Sequence, residues 1–143
     1  MVVLDPERVE LGGAALPGVR SITVGRTPGR LLEEWADGGA FCVFADVPRV
    51  RVTVKVVRWV GATELGSPVS PGGVATLSFR VTGDGTVSQR VTVQCVCASV
   101  TQQVERADQA GRAGTGVVQT IELRGVSSDS AIDPVVFTQA EGV

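Results

Sequence analysis

The sequence predicts a mainly β protein, a single-domain antiparallel β-sandwich or small barrel, and three observations predict it. Val50, Val52, Val54 and Val56 alternate strictly with Arg51, Thr53 and Lys55, so a strand here carries a valine face and a polar face. The apolar content, 43% of the residues, is mainly valine and alanine with only 4% aromatic, and valine is stiff at χ1 and packs well on a pleated sheet. Glycine- and proline-bearing turn signals punctuate the chain between short apolar runs. At 143 residues the chain is read as one domain over 1–143, long enough to bury a core without staples.

Taken in order, Val9-Glu10-Leu11 and Ala14-Ala15-Leu16 flank Gly12-Gly13, which supplies the positive φ values of a tight hairpin. Pro17-Gly18 ends that unit, Ile22 and Val24 begin another strand, and Pro28-Gly29 is read as a break. Leu31 to Trp35 fits both strand parity and a helical face. The strand reading is preferred because Gly38-Gly39 leaves too little length for a helix. Phe41 to Phe44 is a compact apolar segment closed by Ala45-Asp46-Val47-Pro48, and the valine strand runs from there to Val60.

Residues 61–73, rich in glycine, proline and serine, have the composition of a long exposed loop. Val74 to Val81 points Ala75, Leu77, Phe79 and Val81 inward, and Gly83-Asp84-Gly85 makes a turn. Val91 to Cys97 has Val91, Val93, Cys95 and Cys97 on one face and Val96, Ala98 and Val100 beyond them on the other, the mark of a central strand. Asp108 to Gly116 is a loop, and Val117 to Val126 is the hairpin partner of the strand before it. Val135 to Phe137 forms a last short strand. One short helix stays open as an alternative, because Val100, Val104 and Ala107 also share a helical face.

The composition excludes several function classes. With a net charge of −2 and a pI near 5.1 there is no basic footprint for gripping nucleic acid. Basic residues do gather at Arg20, Arg26, Arg30 and at Arg49, Arg51, Lys55, Arg58, and read as part of a mixed solvated surface. The apolar start, Met1 to Leu4, is too short for a signal-peptide core, and no stretch has the apolar length to span a bilayer; folding in the cytoplasm is the expectation. An odd number of cysteines, three, fits that compartment.

Catalytic chemistry finds little support. There is no histidine to activate a cysteine, and Cys95 and Cys97 share one strand face without a second ligand pair for a metal. All three thiols, Cys42 included, are expected to be buried as small hydrophobes. Glu33, Glu34, Asp37 and Asp46 form an acidic group read as solvated surface, and Asp129 and Asp133 are read as turn-forming residues before Pro134. No phosphate-cradling glycine motif, cofactor site or metal site is expected, and the chain is not read as an enzyme.

Four segments carry a family resemblance: Val9-Glu10-Leu11-Gly12-Gly13, Glu34-Trp35-Ala36-Asp37, Phe44-Ala45-Asp46-Val47-Pro48, and Val126 to Val135. In these segments and in its order of elements the chain resembles the tail tube proteins (major tail proteins) of long-tailed bacteriophages and related prophage or gene-transfer particles. The resemblance implies a virion structural protein that forms six-membered rings. Stacked rings would make the tail tube through which DNA reaches the host. It implies as partners other copies of the chain, the tape measure, the terminator and the baseplate, with DNA passing unbound. The loop 61–73 would then be an arm to the next ring. Trp59, Glu64, Leu65 and Val69 are the candidate interface residues, and Glu33, Glu34, Asp37 and Asp84 the candidate lumen residues. Counted from Val50, Trp59 falls on the polar face of its strand, where an exposed indole would suit a subunit contact. The competing readings are another virion part (terminator, baseplate or capsid decoration protein) and a carbohydrate-binding or adhesin module. The latter is disfavoured by two tryptophans and no tyrosine.

Overall fold

The computed structural model describes residues 1–61, 71–82, 88–106 and 115–139. These form nine strands: β1 (Val2–Leu4), β2 (Glu7–Leu11), β3 (Ala14–Ala15), β4 (Val19–Trp35), β5 (Cys42–Val60), β6 (Val74–Thr82), β7 (Ser88–Arg106), β8 (Thr115–Gly125) and β9 (Val135–Gln139). All pairings are antiparallel, in the order β1-β4-β5-β8-β7-β6-β2-β3, with β9 on β7. The described residues contain no helix.

The single sheet curls around one core. In a flat sheet β4 and β6 would lie four strand spacings apart, about 19 Å. Yet Val3, Ile22 and Val24 from one end share a buried cluster with Val9, Leu77 and Phe79 from the other. The valine strand supplies the middle of that cluster. Val52, Val54 and Val56 are buried while the intervening Thr53 and Lys55 face outward, as the period-two pattern requires. Gly12 (φ +62°) and Gly13 (φ +84°) turn the β2–β3 hairpin, where Leu11 pairs with Ala14.

The β7 strand is central, as its apolar faces predict. Its first half lies between β6 and β9 and its second half pairs with β8. Val91, Val93, Cys95 and Cys97 are buried. The expectation for Val100 is corrected. A register shift between Cys97 and Ser99 turns Val100 back against the core, opposite Ile121. The short-helix alternative also fails over its described part. β7 stays extended to Arg106, because each residue from Ser99 onward has a β8 partner to satisfy its backbone.

Two breaks read from the sequence are absent. β4 runs through Pro28-Gly29 and β5 runs through Pro48, both in a region where the strands have one free edge and a missing N–H costs no ladder bond. The Phe41–Phe44 segment is correspondingly not core. Every residue from 26 to 51 is exposed, with Phe41 at 84%. β4 and β5 thus leave the body as a two-stranded arm whose strands, among the described residues, pair only with each other, roughly 30 Å long for ten residues a side.

Candidate functional site

The arm concentrates the unusual surface of the molecule. Leu31, Leu32, Trp35, Phe41, Val43, Phe44, Val47 and Val50 are all exposed on it, Trp35 at 56% and Val43 at 66%. An isolated two-stranded ribbon is marginal in water, and no layer among the described residues covers the bare apolar surface of this one.

Charge on the arm is sorted by distance from the body. At the foot, Arg26 lies opposite Val52, Thr27 opposite Arg51, and Arg30 directly opposite Arg49. Beyond them Leu32 pairs with Asp46, Glu33 with Ala45, Glu34 with Phe44 and Trp35 with Cys42. The foot is therefore basic and the outer half acidic and apolar. Facing arginines at one cross-strand position are mutually repulsive. Among the described residues the ion pair found is Arg26 Nη2 to Asp133 Oδ2, 2.8 Å, so no ion pair joins the two halves of the arm.

That ion pair braces the arm against the 126–134 segment. Asp133 Oδ1 accepts the Val135 N–H (3.0 Å) while Oδ2 accepts from Arg26, and Asp129 Oδ1 accepts the Ala131 N–H (3.1 Å). The turn roles read for both aspartates hold. The Val135 N–H and, after it, Arg26 hold the Asp133 carboxyl below its ordinary value. Between the arm's foot and this segment lies an open groove of about 880 Å³, lined by Arg26, Pro48, Arg49, Val50, Ile132 and Pro134 among others.

Trp59 lies on the outer face of β5, as its parity predicts, but it is half-buried. The Arg20 guanidinium sits 5.0 Å from the ring centroid, and the ring packs on the backbone of Gly116. On the opposite face Arg58 and Gln119 are buried in the row of core valines. Arg58 Nε donates to Gln119 Oε1 at 2.6 Å, and Gln119 Nε2 has no partner among the described residues.

The expectation for the thiols holds for two of three. Cys95 and Cys97 are buried and their pKa values raised, chiefly by desolvation. Cys42 is exposed near the arm tip, its Sγ placed to donate to the carbonyls of Phe44 (2.8 Å) and Glu34 (3.2 Å). It has the apolar neighbours of a core cysteine in sequence, but those neighbours are themselves in solvent.

Of the residues singled out from sequence, the structure places Glu33, Glu34 and Asp37 at the outer end of the arm, all exposed, with Glu33 and Glu34 on opposite faces of β4, and Trp59 on the body. Glu64, Leu65, Val69 and Asp84, and all of the loop 61–73 except Gly61 and its last three residues, lie outside the described residues. Sequence reasoning missed the arm's apolar set and the Arg30–Arg49 opposition. The available signal was the pair of apolar, strand-forming segments on either side of Gly38-Gly39. Among the described residues no three histidine, cysteine or acidic side chains lie close enough to hold a metal, and no helix is long and apolar enough to cross a membrane.

The site and fold define an antiparallel all-β protein with a projecting amphipathic arm. No protein-family model matches the chain, and no curated protein sequence matches it at a significant level.

Proposed function

We propose that the protein is a structural subunit that assembles with its own copies through the β4–β5 arm, and that the assembly is a bacteriophage-type tail tube. In this reading six-membered rings stack into a conduit for DNA, and tape measure, terminator and baseplate proteins meet the tube along its length and ends. The observation that carries the reading is the arm: a ribbon of residues 26–51, wholly exposed, with eight large apolar side chains bare. Burying such a surface against a neighbour supplies a covering layer that the described residues do not provide. Two of the segments that resemble tail tube proteins, Glu34 to Asp37 and Phe44 to Pro48, lie on this arm. A contact between an arm and a different patch on the next copy is head-to-tail, the kind that closes into rings or continues into open stacks. An acidic chain also suits a channel wall, since phosphates are not held by it.

Negative-stain electron microscopy across a concentration series tests the reading, with the full chain beside a variant in which residues 28–50 are replaced by Asn-Gly. That replacement keeps the Arg26–Val52 pairing and removes no buried residue. The expected result is rings or tubes with a central hole for the full chain and a folded monomer for the shortened one. Rings that never stack favour the terminator reading. A full chain that is monomeric at every concentration overturns the proposal.

A further inference from the structure

We infer that the groove at the foot of the arm is the receptor for the arm tip of a second copy. The inference rests on the self-association proposed above and names the two surfaces that meet. The foot needs an acidic partner: Arg30 and Arg49 face each other across the ribbon, and no carboxylate of the described chain offsets them. The tip needs a basic and apolar one: Glu33, Glu34 and Asp37 stand there beside the exposed Trp35, Phe41 and Phe44. The groove matches on both counts: Arg26 and Asp133 on its wall offset each other as an ion pair, Arg49 remains to meet a carboxylate, and Pro48, Val50, Ile132 and Pro134 give apolar lining. Glu33 and Glu34 follow Arg30 by three and four residues on the same paired strand, about 10–13 Å, and a hydrogen-bonded ribbon that short cannot double back on its own foot, so the occupant comes from another copy. Nucleic acid fits less well, because the apolar lining offers nothing to phosphates and the acidic tip repels them.

Charge reversal in trans tests the pairing. One variant carries Arg30→Glu and Arg49→Glu, the other Glu33→Lys and Glu34→Lys. All four positions are exposed, and the first variant keeps a like-charged cross-strand pair, so the folding cost is matched to the native one. In sedimentation runs each variant alone is expected to lose about tenfold or more in association constant, and an equimolar mixture to recover it. Cysteine pairing gives a second readout. Native Cys42 at the tip is expected to form an intermolecular disulfide with a thiol introduced by Ile132→Cys under mild diamide oxidation. With Val74→Cys, equally exposed but on β6, about tenfold less dimer is expected. A wild-type chain that assembles while the reversals have no effect, or while the mixture fails to recover, overturns the groove pairing and leaves the tube reading standing. A wild-type chain that stays monomeric overturns both. Binding of single-stranded DNA by wild type, lost on reversing Arg30 and Arg49, overturns the pairing in favour of a nucleic-acid site.

Discussion

Trp59 lies so close to Gly116 that a Cβ on the glycine would come 2.8 Å from Cε3 of the indole and closer still to Cζ3. The same tryptophan is held at its backbone by Gly18, whose carbonyl accepts the Trp59 N–H at 2.9 Å and whose own Cβ, if present, would lie 2.5 Å from the Trp59 carbonyl oxygen. The residue that reads as an exposed interface candidate is thus fitted into its own chain between two glycines and Arg20.

Gly116→Ala is therefore expected to destabilise the protein by about 1–3 kcal/mol, the usual cost of overpacking. At this chain length that is a fall of roughly 3–5 °C in Tm per kcal/mol. Combining it with Trp59→Leu should cost less than the two single changes together, as thermal unfolding of the four proteins would reveal. Additive losses would mean that the ring moves aside freely. Gly18→Ala adds backbone strain at φ +74° to its clash and should be at least as costly.

Gln119 is fully buried and accepts from Arg58 at 2.6 Å. Gln119→Leu fills the same space but leaves the Arg58 Nε–H without that acceptor in a desolvated setting. A loss of about 1–3 kcal/mol is expected in urea unfolding, with an unchanged m-value. A neutral result would indicate that Arg58 is held by other interactions once Gln119 is gone.

The three thiols should separate cleanly. In the folded protein Cys42 is expected to react with Ellman's reagent at once. Cys95 and Cys97, buried and with raised pKa values, should react only as the protein unfolds. Cys42→Ser should abolish the fast phase without lowering Tm.

Asp133 predicts a pH dependence confined to acid. Its folded-state pKa lies below the ordinary 3.8, so its contribution to stability is present above that value and lost as pH falls through the lower folded pKa. The Arg26–Asp133 pair is about half exposed, which limits its worth to under about 1 kcal/mol. Asp133→Asn should lower Tm slightly at pH 6, and the gap to wild type should close below pH 3.8. A gap that persists well below pH 3.8 would show that the effect does not come from the carboxylate's charge.

How much of this was legible in the sequence differs from feature to feature. The β2–β3 hairpin was, because Gly12-Gly13 specifies its own turn. So were the buried faces of β6 and β7, because parity is a local property. The orientation of Val100 was not, since a bulge at Cys97–Ser99 arises from fitting β7 to β8. Nor was the strand β1, whose three residues acquire their conformation from pairing with Ser21 to Thr23. The arm was hidden because Pro28-Gly29 and Pro48 look like ends of strands, and only a ribbon without outer neighbours lets a strand run through them.

Val50 and Val52 state the division most directly. They belong to one alternating strand and share its parity, yet Val52 is 6% exposed and Val50 is 58% exposed. The sequence by itself determined an antiparallel β protein and which side chains share a face, because the pleat alternates whatever surrounds it. Where the covering layer stops is a matter of how distant strands pack. The tertiary structure alone decided that the core ends at Val52 and that the rest of the ribbon, with its sorted charge and bare apolar side chains, stands out in water.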